Sequence, residues 1–270
     1  MKILVTVKRV PDPEQKVKFK GTSVDVSAAN WVINAFDEYA IEAALRLNEN
    51  AATGEKLGET IALSIGPKDV SQQLRSALAM GADRAILVGG SDEELDSFAV
   101  ARIVKAVVER EKPDLLLMGK LATDGEASQV PQLCAALLDW PQATFAAQIT
   151  ANADGLEVKR EVDTGIEVKQ VKLPAVVSVD LRIISPTAVV NGKTPATHAY
   201  QEGPRYASLK GIMAAKKKEI KEISLADLGV KPAPVTKLVS AEPPAGRKAG
   251  VKVKDVAELV SKLKNEAKVL

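Results

Sequence analysis

Apolar positions along this chain recur with two periods, and the switching between them predicts its architecture. Residues 2–8, KILVTVK, alternate every second position and predict a strand with Thr6 near its carboxyl end. RVPDPEQ then reads as a proline-broken turn, and VKFKGTSVDV alternates around Gly21, predicting a small antiparallel hairpin at the sheet's edge. AFDEYAIEAALRLNE changes to the helical period. Phe36, Ala40, Ala43, Ala44 and Leu47 share one face, Asp37 and Glu38 occupy the first turn, and Asn34 stands where a helix cap belongs. ETIALSIGP (59–67) is a buried strand ending in a Gly-Pro turn, and KDVSQQLRSALAMGA is a crossover helix closed by Gly81. DRAILVGG, a helix over 95–112 and the apolar run at Leu115–Met118 continue the series. Strands alternating with helices predict right-handed crossovers and a parallel sheet.

After Trp140 the texture changes. ATFAAQIT, LEVKREVD, IEVKQVKL and AVVSVDLR are successive β-rich runs, and Asp163-Thr164-Gly165 has hairpin-turn composition, so an antiparallel extension of the sheet is predicted. Residues 185–204, rich in proline and glycine and without periodicity, read as a long exposed loop. RYASLKGIMAAKKKEI reads as a short helix ending in a lysine run. Beyond it, Pro232, Pro234, Pro243 and Pro244 mark an extended arm, closed by a helix from about Val256 to Ala267. Such an arm has no core of its own, which predicts that it packs on a partner.

Composition narrows the function classes. At 270 residues and 46% apolar, the chain can bury a sizeable core. The single cysteine, Cys134, rules out an intrachain disulfide and points to a reducing compartment. With one histidine, His198, the chain has no material for a Cys/His metal site or a His-based nucleophile system. There is no run of about 18 apolar residues, so no membrane insertion is expected. Residues 207–270 hold 14 Lys/Arg against 7 Asp/Glu, leaving 23 against 28 in the first 206. A mildly acidic body therefore carries a basic arm. At 3% aromatic the chain lacks a base-stacking platform, so the arm is read as gripping protein and not nucleic acid.

The candidate chemistry lies in DLLLMGKLATDGEASQVP, residues 114–131. A buried strand stops at Gly119, a polar loop follows, and VPQLCAALLDW begins a helix. Gly119 and Gly125 permit tight backbone, and Thr123 and Ser128 offer hydroxyls. In a parallel sheet this strand-to-helix turn is where amides and a helix N-terminus meet an anion, so it reads as a phosphate cradle. It matches neither the P-loop nor the dinucleotide fingerprint, and a plain strand-to-helix turn remains the other reading.

Several stretches together resemble the β subunit of electron transfer flavoproteins: VKRV, INAFDEYAIEAALRL, SIGP with SALAMGADRAI, MGKLATDGEASQ with LLDWPQATFA, VKREVDTG, LPAVVSVDLR and PRYASLKGIMAAKKKEI. They run in order over nearly the whole chain. The resemblance implies a Rossmann-like α/β domain over 1–205, with a parallel sheet and helices on both faces. A partner-docking segment and an arm wrapping an α subunit would fill 206–270. It implies a structural AMP in this chain and FAD held mainly by the α subunit. The implied AMP contacts are Thr6, then Asn34, Ala35, Phe36 and Asp37, then Ile65. The last set is the loop Gly119, Lys120, Leu121, Ala122, Thr123, Asp124, Gly125, Glu126, Ala127, Ser128, Gln129 and Val130. Leu209 matches the leucine by which the family docks into acyl-CoA dehydrogenases, and Glu161 an acidic residue that helps free the flavin domain. Lys216, Lys217 and Lys218 lie where the family has methylatable lysines.

Three departures stand out. Asp12-Pro13 replaces a tyrosine near the flavin, the Ser185–Gly203 loop is longer than usual, and Val130 replaces a hydroxyl residue of the cradle, at a cost of about 1 kcal/mol. The implied role is electron carriage from acyl-CoA or other donor dehydrogenases to a quinone reductase, with no catalytic residue in this chain, in bacterial cytoplasm or the mitochondrial matrix. The alternative within the family is a bifurcating form with a second FAD in place of AMP. An ATP-using enzyme would need a phosphate-gripping motif of which SIGPKD is a distant echo. For a free-standing nucleotide sensor the basic arm would be superfluous.

Overall fold

The computed structural model describes residues 1–246 and 249–270; Arg247 and Lys248, within the basic arm read from the sequence, lie outside the described residues. The chain divides into two compact units, one of residues 1–17 and 26–238, the other of 18–25 and 239–270.

The first unit is built on a mostly parallel sheet. Its strands are β1 (Lys2–Thr6), β2 (Glu59–Gly66), β3 (Arg84–Gly89), β4 (Leu115–Gly119), β5 (Gln142–Asn152), β6 (Gly155–Val162), β7 (Gly165–Val171), β8 (Ala175–Val179) and β9 (Ile220–Ile223). They lie in the order β7-β6-β5-β8-β4-β1-β2-β3-β9, and a two-residue strand, Val189–Val190, pairs with β5. The centre is β1, with Ile3, Leu4 and Val5 beside Leu115, Leu116 and Leu117 of β4 and beside Thr60, Ile61 and Ala62 of β2, all parallel. Because these strands are covered on both faces, they are apolar nearly throughout, with Thr60 and Ser64 of β2 buried among them.

Helices α1 (Ala35–Leu47) and α2 (Ser71–Met80) cover one face; α3 (Ser97–Glu111) and α4 (Val130–Leu138) cover the other. One core joins Ala40, Ala44, Leu74 and Leu78 to Ile3, Val5 and Leu117; the second joins Val104, Val107 and Cys134 to Leu4, Ile61 and Leu116. These are the two helical layers of the expected α/β fold, split by the pleat of the strands.

Several expectations need correction. AVVSV does not extend the sheet antiparallel: β8 runs parallel between β4 and β5, and in the large sheet, among the described residues, the antiparallel pairs are β5-β6 and β6-β7. RVP is not simply a turn, since Arg9–Pro11 pairs with Trp31–Ile33. The hairpin Lys18–Lys20/Ser23–Asp25 forms its own two-stranded sheet and does not edge the large one. IKEI, read from the sequence as the end of the lysine run and the start of the arm, is the parallel edge strand β9 beside β3.

The stretch 185–203 is not a free loop. It is fastened to the carboxyl end of α1 by Arg46, which is 1% exposed. Arg46 donates to the carbonyls of Ser185 (2.8 Å), Gln201 (3.0 Å) and Gly203 (3.1 Å), bonds Glu42 at 2.7 Å, and stacks 4.5 Å from the Tyr200 ring. Asn191 adds a bond to the Arg46 carbonyl at 2.7 Å. Burial works against the charge of Glu42, but Arg205 and Arg46 hold its carboxyl below the usual carboxylate range.

The second unit contains the hairpin 18–25 and the segment 239–270, joined by a bond from the Ala241 N–H to the Thr22 carbonyl (2.8 Å). Its helix runs Val256–Asn265, capped by Asp255 on the Glu258 N–H, and buries no residue. Val251 and Val256 stay about three-quarters exposed. The sequence placed a closing helix at about Val256 to Ala267, and the helix observed ends at Asn265.

Candidate functional site

The strand order reverses at β1. From it the chain steps one way through β2 and β3 and the other way through β4 and β8, so the loops leaving β1 and β4 diverge over the carboxyl edge. A crevice at that point is the usual ligand position in such sheets. Thr6 ends β1, Ile65 lies one residue before the end of β2, and Gly119 ends β4, which puts three of the expected contacts on adjacent strands.

The amino end of α1 closes on the same edge. Gly119 is required there: a Cβ at this position would lie 2.5 Å from Asp37 Oδ1 and 2.8 Å from the Phe36 Cβ and carbonyl carbon. Gly125 differs, because nothing lies within 4 Å of a Cβ built on it. Asp37 is buried and accepts the N–H of Lys8 at 2.7 Å and of Gly119 at 3.2 Å, tying the ends of β1 and β4 to the helix. Asn34 is 1% exposed but does not cap α1 with its side chain. It reaches across instead, donating to the Leu121 carbonyl (2.8 Å) and accepting the Thr123 N–H (3.1 Å). The side chain that local sequence assigned to the helix thus shapes the loop.

The loop itself is bent in two places that L-residues rarely occupy, Glu126 (φ 46°) and Ser128 (φ 52°). Ser128 Oγ donates to the Lys120 carbonyl at 2.9 Å, so its proton closes the loop. Among the described residues no acceptor meets the N–H of Ala127, Ser128 or Gln129, and α4 starts at Val130 with no side-chain cap. Unmet amides in succession before an uncapped helix are a donor set for an anion. Two cations flank it: Lys8 Nζ, 2.7 Å from Asp124, and Lys120 Nζ, 2.8 Å from Asp180 and 4.9 Å above the Phe36 ring. Leu121, Ala122, Ala35 and Val130 are half-buried beside it, with Val130 packed on the second core. This donor set suits a mononucleotide phosphate with adjoining apolar surface for a base. Concavities of about 510 and 550 Å³ lie at the opposite edge, near Asp114 and Met1.

Burial drives the Asp37 carboxyl up from the usual 3.8 to about 7, against the pull of the Lys8, Asn34 and Gly119 hydrogen bonds. The folded chain therefore holds this proton more tightly than the unfolded one. Stability contributed here should fall as pH rises from about 4 to about 7, by up to about 1.4 kcal/mol per pH unit, and level off above. Asp37→Asn is expected to flatten that slope in urea titrations between pH 5 and 8; an unchanged slope would place the titration elsewhere.

One functional candidate escaped the sequence. Arg9, 9% exposed, lies 4.1 Å over the Trp31 ring and pairs with Asp69 (2.6 Å) and Asp92 (2.7 Å), from the loops after β2 and β3. It ties the chain leaving β1 to the loops that follow β2 and β3. VKRV carried the arginine in plain view, but its partners are 60 and 83 residues away.

The other expected residues lie outside the crevice. Leu209 opens α5 (Leu209–Ala215) and is 77% exposed, with Tyr206, Ile212 and Met213 exposed around it. Glu161 lies on β6 and is ion-paired with Arg182. Lys216 and Lys217 are exposed, whereas Lys218 donates to the carbonyls of Leu78 (3.1 Å), in the last turn of α2, and Ala82 (2.6 Å), just beyond it.

Residues 22–228 match the electron transfer flavoprotein domain. The chain is 47% identical to the electron transfer flavoprotein subunit beta of Bradyrhizobium diazoefficiens over the full length of both chains. The chain belongs to the electron transfer flavoprotein β-subunit family. It is 41% identical to the mouse subunit beta, covering all of this chain and 99% of that one. It is also 42% identical to the mitochondrial subunit beta of japonica rice, over the whole of both. Membership makes this an electron-transport flavoprotein subunit with an α-subunit partner. Among the described residues, no helix is long and apolar enough to cross a membrane, and no group of three or more acidic, histidine or cysteine side chains could hold a metal ion.

Proposed function

We propose that this chain binds AMP in the carboxyl-edge crevice as a fixed structural element, supports an FAD held mainly by the α subunit, and docks donor dehydrogenases. The observation that carries the reading is the run of unmet amides at Ala127–Gln129 ahead of uncapped α4, at the switch point of the sheet. In this reading those amides and the start of α4 hold the phosphate, Lys8 and Lys120 balance its charge, and Thr6 and Ile65 face the base. The positive end of α4 favours the anion, and Asn34 keeps the loop open by spending its side chain on Leu121 and Thr123. Bound FAD supplies the electron chemistry, so no residue here acts as acid, base or nucleophile. Electrons would come from acyl-CoA dehydrogenases or other donors and leave to a quinone reductase, in bacterial cytoplasm or the mitochondrial matrix.

Denaturing the purified αβ heterodimer and chromatographing what it releases is expected to give one FAD and one AMP. Two FAD and no AMP would replace this reading with the bifurcating one. For docking, Leu209→Ala is expected to leave both nucleotides bound while raising the donor dehydrogenase's KM for the carrier about tenfold, as loss of an exposed anchor does at an interface. Unaltered kinetics would remove Leu209 from the docking surface.

A further inference from the structure

The exposed docking segment is short, and its two ends are held in different ways. On one side α5 lies against α2. A Cβ on Gly211 would stand 2.6 Å from the Ala79 carbonyl, and Arg75 donates to the carbonyls of Ala215 and Lys218 at 2.6 and 2.5 Å. On the other side Arg46 and the Ile184 carbonyl hold the chain as far as Gly203, and beyond Gly203 the hold is a single side chain. Arg205 meets Glu42 through Nε (2.7 Å) and Glu49 through both terminal nitrogens (2.9 and 2.6 Å), and its own N–H donates to Glu42 at 3.1 Å. Glu42 is nearly inaccessible and is also bonded by Arg46. Between these two holds, Tyr206 is 97% exposed and Leu209 77%.

An apolar anchor on a loose segment would lose freedom each time a partner docked, and that loss subtracts from affinity. Here the loss is met in advance. We propose that Arg205 is the positioning residue of the docking surface: by bridging Glu42 and Glu49 it fixes residues 204–208 and presents Leu209 ready-placed to the donor dehydrogenase. The proposal rests on the docking role of Leu209 put forward above. It assigns Arg205 no contact with the partner.

The bridge needs the planar fork of an arginine, since a lysine ammonium cannot serve two carboxylates with the same fixed geometry. Arg205→Lys, made in the αβ heterodimer and assayed with an acyl-CoA dehydrogenase and its acyl-CoA, is therefore expected to retain both nucleotides. It should raise KM for the carrier five- to tenfold with kcat unchanged, and amide hydrogen exchange should quicken in peptide 204–213 while holding steady in α3 and β4. A raised exchange rate with unchanged KM would overturn the proposal, as would unchanged exchange. Should Arg205→Lys shed nucleotide, Glu49→Gln serves, since it weakens only the outer half of the fork; about a threefold rise in KM is expected, and none would overturn it. Leu209→Ala, run alongside, separates the two ideas. If it lowers docking while Arg205→Lys and Glu49→Gln do not, positioning fails and docking stands; if it too has no effect, both fail.

Discussion

Alanine in place of Gly119 is expected to empty the crevice of nucleotide and to destabilise the chain by about 3 kcal/mol, the upper range for forcing atoms into a packed site. The added carbon would meet the Phe36 backbone at 2.8 Å and the Asp37 carboxyl at 2.5 Å. A flexible side-chain tip could turn away, but the first turn of α1 cannot, so either β4 or the helix must move. Movement of either breaks the Asp37 bonds to Lys8 and Gly119 and shifts the loop that Asn34 holds. Gly125→Ala is the control for stability, because its Cβ would meet no atom of the folded chain and the urea midpoint should stay as it was. Nucleotide released per heterodimer and the urea midpoint measure the two effects. A Gly119→Ala protein with full nucleotide would show that the crevice is not the binding site.

The second large effect is expected at Arg46. Methionine keeps much of the length and the apolar stem, yet it would leave Glu42 with one partner fewer and strip the donor from the carbonyls of Ser185, Gln201 and Gly203. Breaking a buried pair from one side typically costs about 3–5 kcal/mol, and Arg46→Met should fall in that range. The stretch 185–203 should also become the first place a protease cuts. A loss below about 1 kcal/mol, with no new cleavage, would mean that Arg46 is dispensable to the anchoring.

The contrast between the two residues shows what the sequence could and could not reveal. Gly119 was legible because strand, loop and helix start are consecutive, so LLLMGKLATDGEASQV states its own geometry. Arg46 was not, because its acceptors lie 139 to 157 residues further on and belong to a segment whose prolines and glycines read as free loop. The same difference explains Asn34: local rules place it as a cap, and only the fold brings Leu121 and Thr123 within its reach. Strand direction was lost for a related reason. AVVSV is apolar except at Ser178, which marks burial on both faces, but no period distinguishes a parallel strand from an antiparallel one. β9 was missed because four residues with two charges carry no pattern at all.

Helix α1 spans 13 residues, a rod of about 20 Å. Asn34 and Asp37 stand at one end over the crevice, and Glu42, Arg46 and Glu49 hold the segment leading to Leu209 at the other. The rod works as a caliper whose jaws cannot open or close, since a packed helix neither stretches nor shortens appreciably. The spacing between the loop that Asn34 grips and the segment that Glu42 grips is therefore set by the helix itself, and a displacement at one end reaches the other only by carrying the whole rod with it.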